Sequence, residues 1–418
     1  MREEKIVFRK IGHMFLLSIL LFVFAFTHAS AANDEGLETG MWRGVIQLKD
    51  ETLPFNFLLT DSAGAIVITI INAEEKIRVT EITVAGDSLF IHMPLFDSEF
   101  RVKYEPGKMT GLFLNHTRRD NNVFPFSATA GISGRFEGHK EAGVNISGKW
   151  ECDFSPGTAD SSKAIGEFVQ TGYQLHGTFL TTSGDYRYLQ GLVFGDSLAL
   201  SAFDGSHLFL FKGVVDKEGV IHGRFFSGNH WREDWIAGRN EKFELPDPYS
   251  ITYLKPGYTS LAFSFPDVNR KMVSLTDPAF KNKVVIVQIM GTWCPNCMDE
   301  TEYYSRLYNQ FHQEGLEIIG IAFERFPEFE KAQANLKRLQ QKFGIQYPLL
   351  FGGQTGESAA KALPMLNGIN GYPTSVFIDR AGKVRNIYTG INGPATGDAY
   401  EKWKDDVNAL IEKLLGEK

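Results

Sequence analysis

Apolar residues recur in short runs through the first half of the chain, from residue 37 to about residue 242. The runs at 45–48, 55–59 and 65–70 are typical, and Gly, Asp and Asn interrupt them at intervals near ten residues. Such short runs, bounded by turn-forming residues, are typical of antiparallel strands in a barrel or sandwich. We therefore predict an all-β N-terminal region built from barrel or sandwich units.

This β-rich region repeats short sequence signals in a fixed order. Three signals recur about 110 residues apart: Gly-x-Trp at 40–42 and 148–150, Gly-Asp-Ser-Leu at 86–89 and 195–198, and Gly-x-Phe at 111–113 and 223–225. We interpret them as a tandem duplication over 37–143 and 144–245, with about eight strands per copy. One larger closed sheet is the alternative. Trp42 and Trp150 hold equivalent places, so we expect both in the core rather than at a ligand.

The hydrophobic period changes after a proline-containing stretch, which predicts a linker at 246–260. Beyond it, continuous apolar runs alternate with amphipathic segments. The predicted strands are 284–289, 316–323, 347–351, 374–378 and 384–389, and the predicted helices are 298–314, 327–343, 356–363 and 399–415. Alternating β and α elements predict an α/β sheet, covered on both faces, over residues 261–418.

The first 31 residues have the features of a secretory signal peptide. Four basic residues precede an apolar stretch at 14–26, and Ala29-Ser30-Ala31 fits the small-residue cleavage pattern. The apolar stretch is shorter than the roughly 20 residues that a membrane-spanning helix needs. We expect cleavage near Ala31 and an exported protein, periplasmic or otherwise extracytoplasmic. An uncleaved signal anchor is the alternative.

Composition and charge narrow the classes of function. Hydrophobic residues make up 43% and charged residues 22%, which is typical of a globular protein. The net charge is −7 and no long basic run is present, so we expect no nucleic-acid partner. The scattered histidines show no metal-binding spacing, and we predict neither a metal nor another cofactor.

The chain has three cysteines, too few for a disulfide-stapled scaffold. Cys152 has no neighbouring partner in the sequence, so a buried inert thiol is expected and a reactive one is the alternative. Cys294 and Cys297 lie between a predicted buried strand and a predicted helix. At a helix N-terminus the dipole and the free N–H groups stabilise a thiolate, which makes Cys294 the nucleophile. Cys297 lies one turn further and can resolve a mixed disulfide.

Other interpretations of the cysteine pair do not fit its spacing. A zinc site needs further ligands, and covalent haem needs a histidine where Met298 stands. A structural disulfide across two residues would close too small a loop to constrain the chain. Redox chemistry remains.

The motif Trp293-Cys294-Pro295-Asn296-Cys297, together with Gly371-Tyr372-Pro373-Thr374, resembles the thioredoxin superfamily. It looks most like the exported TlpA/ResA-like thiol-disulfide oxidoreductases, and the resemblance covers about residues 258–418. The resemblance implies that Cys294 attacks and Cys297 resolves, while Trp293 and Pro295 lie at the substrate face. It also implies that Pro373 is a cis-proline, which presents the backbone of Tyr372 to the substrate.

The sequence departs from that family in the group that manages the proton of the resolving cysteine. Thioredoxin has a buried Asp six residues before the first cysteine, where this chain has Gln288, which cannot titrate. By family analogy we expect Glu324 to serve, with Glu328 as the reserve. A peroxiredoxin is not expected, because its peroxidatic motif needs a proline where Val287 stands.

The sequence therefore predicts an exported thiol-disulfide oxidoreductase acting on protein disulfides. By analogy it is a reductant supplied by a membrane thiol electron donor, although an oxidant or isomerase stays open. The alternative function is an envelope ligand- or partner-binding protein whose β-rich half does the main work. An open polar groove would favour ligand binding, and an interior filled by Trp and Phe would favour a spacer or docking role. The oligomeric state is not predicted.

Overall fold

The computed structural model describes residues 37–62, 64–137 and 141–417. The predicted signal segment and its cleavage position at Ala31 lie outside the described residues. Within the described ranges, no helix is both long enough and apolar enough to cross a membrane.

The first sheet is an antiparallel ring. Its strands are β1 Gly40–Gln47, β2 Thr52–Ser62, β3 Ala65–Asn72, β4 Glu75–Val79, β5 Glu81–Ala85, β6 Ser88–His92, β7 Ser98–Glu105, β8 Lys108–Asn115 and β9 Val123–Ala130. Consecutive strands pair with each other except β4 and β5, and β1 also pairs with β9. Only Thr80 separates β4 from β5, so these two form one interrupted strand that pairs with β3 and β6. The ring is thereby closed.

The second sheet also closes into a ring. Its strands are β10 Gly148–Phe154, β11 Ser162–Thr171, β12 Gln174–Thr181, β13 Gly184–Asp185, β14 Leu189–Phe194, β15 Ser197–Phe203, β16 Leu208–Val215, β17 Ile221–Ser227 and β18 Trp231–Arg239. Its first strand, β10, pairs with both β11 and β18, and β11 pairs with β12. The short β13 extends the edge of β12.

Large apolar side chains fill the interior of both rings. The largest fully buried ones include Trp42, Phe55, Phe113, Trp150, Phe179 and Trp235. The prediction that Trp42 and Trp150 are core residues is confirmed. Each donates its indole N–H to a carbonyl four residues earlier, on Glu38 and Ile146, at 2.8 Å. Filled interiors agree with a spacer or docking role for the β-rich half.

The repeated sequence signals occupy matching places in the two rings. Both Gly-Asp-Ser-Leu segments form a turn in which the aspartate accepts a hydrogen bond from the next serine, at 2.9 Å for Asp87 and 3.0 Å for Asp196. Gly111 and Gly223 both lie in the last strand but one of their sheets, β8 and β17. The two sheets therefore share topology as well as sequence signals.

The C-terminal domain is built on a five-stranded mixed sheet. A short hairpin comes first in this domain, formed by β19 Ser264–Pro266 and β20 Met272–Ser274. The five strands of the sheet are β21 Val284–Met290, β22 Leu316–Glu324, β23 Leu349–Gln354, β24 Thr374–Ile378 and β25 Val384–Thr389. Its α-helices are α1 Pro248–Ile251, α2 Pro295–Phe311, α3 Phe329–Phe343, α4 Glu357–Ala362 and α5 Asp398–Gly416. The strand order in the five-stranded sheet is β23-β22-β21-β24-β25, with β24 antiparallel to β21. Apolar cores lie on both faces, so the predicted fold class, all-β then α/β, is confirmed.

The start of helix α2 differs from the sequence expectation. Helix α2 begins at Pro295 and not at residue 298, because proline fits the first helical position and Cys294 acts as N-cap. The proline-rich segment at 246–260 is docked on the C-terminal domain. Lys255 donates its backbone N–H to Met365 O at 2.8 Å, and Val384 donates to Thr259 O at 2.9 Å.

Candidate active site

Cys294 and Cys297 form a disulfide at the N-terminus of α2. The backbone N–H of Cys297 donates to Cys294 Sγ at 3.1 Å. When the disulfide is reduced, this hydrogen bond and the helix dipole favour negative charge on Cys294. Cys294 is 3% exposed and Cys297 is 0% exposed, so an incoming sulfur can reach only the first cysteine.

The loop before β24 faces the disulfide. The Tyr372–Pro373 peptide bond is cis, the form expected, and Tyr372 O lies 3.5 Å from Cys294 Sγ. The Tyr372 ring packs edge-on against Trp293 with ring centroids 5.3 Å apart. Trp293 is held in turn by its indole N–H, which donates to Phe323 O at 3.0 Å. The structure therefore brings the predicted substrate-binding residues together beside Cys294. Their roles stay predictions.

A buried carboxyl group that the sequence analysis missed lies behind Cys297. Glu300 is fully buried and accepts hydrogen bonds from Gln288 Nε2 at 2.8 Å and Ser375 Oγ at 2.9 Å. Gln288 Nε2 also approaches Cys297 O at 3.5 Å. Burial raises the pKa of Glu300 to about 7. A spacing of three residues places Glu300 one turn after Cys297 on the same helix face, which is the signal that could have revealed it.

The predicted proton acceptor, Glu324, lies on another side of the motif. Its carboxylate accepts bonds from Thr292 N at 2.9 Å and from Thr292 Oγ1 at 2.8 Å. Burial raises the pKa of Glu324, and these hydrogen bonds and the nearby positive charge of Arg325 partly oppose that rise. Glu324 thus supports the segment that leads into Cys294, whereas Glu300 lies next to the backbone of Cys297. Glu328, the reserve candidate for Glu324, is exposed and pairs with Arg119 at 3.3 Å.

The pKa of Glu300 predicts a specific pH dependence of stability. Its folded-state pKa lies above the value of an exposed glutamate, so its stabilising contribution is present below about pH 4.5 and is lost as pH rises through about 7. In the wild-type chain, ionisation of Glu300 should lower the free energy of unfolding by about 3 kcal/mol between pH 4.5 and pH 8. Glu300→Gln should lack this decrease, because glutamine does not ionise. Urea unfolding at several pH values measures it. Glu302→Gln, at an exposed neighbour, should keep the wild-type profile. An unchanged profile in Glu300→Gln would contradict the prediction.

The second ring covers the substrate face of the cysteine motif. Asn296 Nδ2 donates to Asp185 O at 3.2 Å, and Gly393 N–H donates to Asp185 Oδ2 at 2.8 Å. A Cβ on Gly184 would lie 2.0 Å from Asn296 Nδ2, so this close approach requires glycine. The candidate active site is therefore formed jointly by the C-terminal domain and the β-rich half.

An ion-pair cluster holds the second ring against helix α2. Arg187 donates to Asp299 Oδ2 at 2.8 Å and also pairs with Glu75. It therefore joins the second ring, the first ring and helix α2. Burial alone would lower the pKa of Arg187, but the surrounding carboxylates hold it well above its usual value. No local sequence pattern indicates this cluster, because Arg187 is 112 residues from both Glu75 and Asp299.

In the ranges that the structure describes, no group of three or more His, Cys, Asp or Glu is arranged to hold a metal. The third cysteine, Cys152, is fully buried, and burial raises its pKa to about 12. Of the two expectations for Cys152, the buried thiol is confirmed.

The C-terminal region of the chain is similar to known proteins. Residues 256–387 match the AhpC/TSA family. The C-terminal domain is thioredoxin-like. A Thiol-disulfide oxidoreductase ResA from Geobacillus thermodenitrificans is 28% identical over 141 residues, which are 33% of this chain and 72% of that protein. A ResA from Bacillus thuringiensis is 28% identical over 152 residues, 36% of this chain and 74% of that protein.

One solved structure that resembles the thioredoxin-like domain is a thiol:disulfide interchange protein of the thioredoxin family from Chlorobium tepidum. It is 26% identical, covers 38% of this chain and 96% of its own, and has a TM-score of 0.30. The sequence relatives confirm the predicted resemblance to ResA-like oxidoreductases and place this chain's C-terminal part among oxidoreductases.

Proposed function

We propose that this chain is an exported thiol-disulfide oxidoreductase that reduces disulfides in protein substrates. The observation that carries the proposal is the geometry of Cys294. Its sulfur accepts the N–H of Cys297 at 3.1 Å and lies 3.5 Å from Tyr372 O, where an extended substrate strand could pair with the backbone. A nucleophilic sulfur and a backbone docking edge therefore face the same space.

The proposed reaction moves two electrons from the dithiol to the substrate. The Cys294 thiolate attacks one sulfur of the substrate disulfide, that S–S bond breaks, and one substrate thiolate leaves. The Cys297 thiolate then attacks Cys294 Sγ, which releases the second substrate thiolate and forms the Cys294–Cys297 disulfide. Two protons end on the two substrate thiols. An external dithiol, which we propose is a membrane electron donor, returns the pair to the reduced form.

Cys297 is buried, so the proton that its thiol loses needs an acceptor close by. Glu300 is suited to this because its raised pKa of about 7 lets it exchange a proton near neutral pH. Gln288 connects its carboxyl group to the backbone of Cys297. Glu324 stays a second candidate, and its bonds to Thr292 favour a role in positioning Trp293 and Cys294.

Export and domain organisation are further parts of the proposal. The basic and apolar pattern of residues 1–31 supports export with cleavage near Ala31, which N-terminal sequencing of the exported chain would test. Matching turns and topology in the two rings support a tandem repeat over 37–143 and 144–245, followed by a linker at 246–260 and a thioredoxin-like domain at 261–418. We propose that the repeats shape access to the disulfide.

The reduction potential tests the direction of the reaction. A reductant of protein disulfides should have a Cys294–Cys297 potential below about −230 mV, measured by equilibration with a glutathione or dithiothreitol buffer. Insulin reduction in the same preparation should be catalysed with dithiothreitol as donor. A potential near −120 mV would instead indicate an oxidant and would contradict the proposed direction.

A further inference from the structure

A cleft of about 310 Å³ opens onto Cys294 between the thioredoxin-like domain and the two rings. Residues from all three parts line it, including Arg118, His230, Trp231, Trp293, Arg325 and Tyr372. Arg118 follows strand β8 of the first ring, His230 precedes β18 of the second, and Arg325 follows β22. Any disulfide that reaches Cys294 through this cleft passes these side chains.

Among the described residues, neither Arg118 nor Arg325 forms an ion pair, although both are half-buried. The Arg325 guanidinium stacks over the Trp293 ring at 4.4 Å, directly beside the cysteine motif. Arg118 Nη2 donates to His230 Nε2 at 2.6 Å, a neutral partner that leaves its positive charge uncompensated.

The positive charge of the cleft also affects the groups within it. Burial, followed by the nearby charge of Arg118, lowers the pKa of Arg325 to about 10. Partial desolvation and the same guanidinium lower the pKa of His230, which keeps the imidazole neutral as the acceptor for Arg118. Desolvated cations close to one another are unfavourable unless an anion joins them.

The carboxylates near the cleft are already engaged. Asp185 accepts hydrogen bonds from the backbone N–H groups of Arg187 and Gly393, at 2.6 and 2.8 Å. Glu324 is bound by Thr292. Glu324 attracts Arg325 electrostatically but forms no ion pair with it. Within the described part of the chain, no carboxylate therefore lies at ion-pair distance from Arg118 or Arg325, and a ligand can supply one.

We propose that this cleft selects disulfides flanked by carboxylates, with Arg118 and Arg325 binding the carboxylate groups while Cys294 attacks the sulfur. This inference rests on the proposed thiol-disulfide exchange and names its substrate class. Arginine suits the role because its planar fork binds a carboxylate through two hydrogen bonds. The reaction is the same balanced exchange: the bound S–S bond breaks, two acidic thiols are released, and the Cys294–Cys297 disulfide forms.

The test compares disulfides that differ in charge. The pre-reduced protein is mixed with oxidised glutathione, which is anionic, with bis(2-hydroxyethyl) disulfide, which is neutral, or with cystamine, which is cationic. Each rate of Cys294–Cys297 oxidation is divided by the rate of the same disulfide with dithiothreitol. We expect oxidised glutathione to be favoured over cystamine by at least about tenfold at low salt, and the preference to shrink at 0.5 M salt.

The arginine variants connect the preference to the cleft. Arg118→Gln and Arg325→Gln should each reduce the anionic-to-cationic rate ratio severalfold, and Arg325→Lys should restore part of it because the charge returns. Arg119→Gln is the matched control, since Arg119 is an adjacent arginine that already pairs with Glu328 at 3.3 Å. It should keep the wild-type ratio. Circular dichroism confirms that each variant is folded.

A second arm distinguishes the sources of such a disulfide. Two cyclic peptides with the same disulfide loop, one flanked by glutamates and one by lysines, repeat the comparison. A preference with oxidised glutathione indicates small acidic disulfides, and a preference only between the peptides indicates acidic protein segments. Equal normalised rates for all charges, or ratios that the arginine variants leave unchanged, would overturn the inference. No oxidation of the pair by the neutral disulfide would instead contradict the proposed exchange itself.

Discussion

Cys294→Ser should abolish catalysed insulin reduction, with the rate falling by at least about 1,000-fold to the background given by dithiothreitol alone. Cys294 is the sulfur that reaches the cleft, since Cys297 is fully buried. A serine hydroxyl at this position cannot form a mixed disulfide. The measurement is the increase in turbidity of insulin with dithiothreitol as donor, compared with the wild-type chain.

Cys297→Ser should fail at a different step. Cys294 can still attack, but no resolving thiol follows, so a mixed disulfide between Cys294 and the substrate should accumulate. Non-reducing electrophoresis and mass spectrometry detect this covalent complex. Its appearance in Cys297→Ser and its absence in Cys294→Ser would assign the two roles separately.

Cys152→Ala is the matched control for both variants. This third cysteine is fully buried in the second ring, and burial raises its pKa to about 12, so it should not react. Its insulin-reduction rate should stay within about twofold of wild type. Loss of activity in Cys152→Ala with an intact fold, or full activity in Cys294→Ser, would contradict the assignment of the redox pair.

Arg187→Met should lower the free energy of unfolding by about 3 kcal/mol or more. The substitution leaves Asp299 and Glu75, which are 14% and 11% exposed, without their shared cation, and breaking a largely buried ion pair by removing one partner is strongly destabilising. The effect should be large because Arg187 joins both rings to helix α2. Urea unfolding followed by tryptophan fluorescence measures it.

Two comparisons separate the ion-pair effect from the loss of any arginine. Arg224→Met removes an exposed pair with Asp234, at 2.7 Å, and should cost less than about 1 kcal/mol. Adding Glu75→Gln and Asp299→Asn to Arg187→Met should recover part of the stability, because the uncompensated charges are then gone. If Arg187→Met is no less stable than Arg224→Met, the buried cluster does not hold the cover in place.

Both predictions concern the candidate site that the cysteine pair and the second ring form together. The cysteine pair supplies the chemistry, and the second ring restricts the approach to it through Asp185 and Arg187. A thioredoxin-like domain without such a cover would expose its substrate face widely. Here the access route is a cleft with two arginines at its walls, which supports our proposal that the β-rich half takes part in substrate choice. The interior of the second ring is itself filled by apolar side chains.

The sequence alone determined the features that depend on residues close together in the chain. Alternating apolar positions encode strands, and the sheets and most helices lie where the periodicity predicts them. The Cys-Pro-Asn-Cys motif predicted that Cys294 faces a helix N-terminus, and in the structure Cys294 is the N-cap of α2, which begins at Pro295 instead of the predicted residue 298. Recurring turns revealed two similar rings. These signals are local, because capping, turns and strand patterns need only neighbouring residues.

Tertiary structure decided what depends on contacts between distant segments. Burial sets the pKa of Glu300, and Cys294 is 3% exposed in a cleft lined by residues from both rings and from the thioredoxin-like domain. Arg187 and Asp299 are 112 residues apart, and Arg118 and His230 are also 112 residues apart. Desolvation and ion pairing act through space, so no local pattern encodes them. The redox chemistry is thus evident in the sequence, whereas access to it and its proton chemistry arise only in the folded chain.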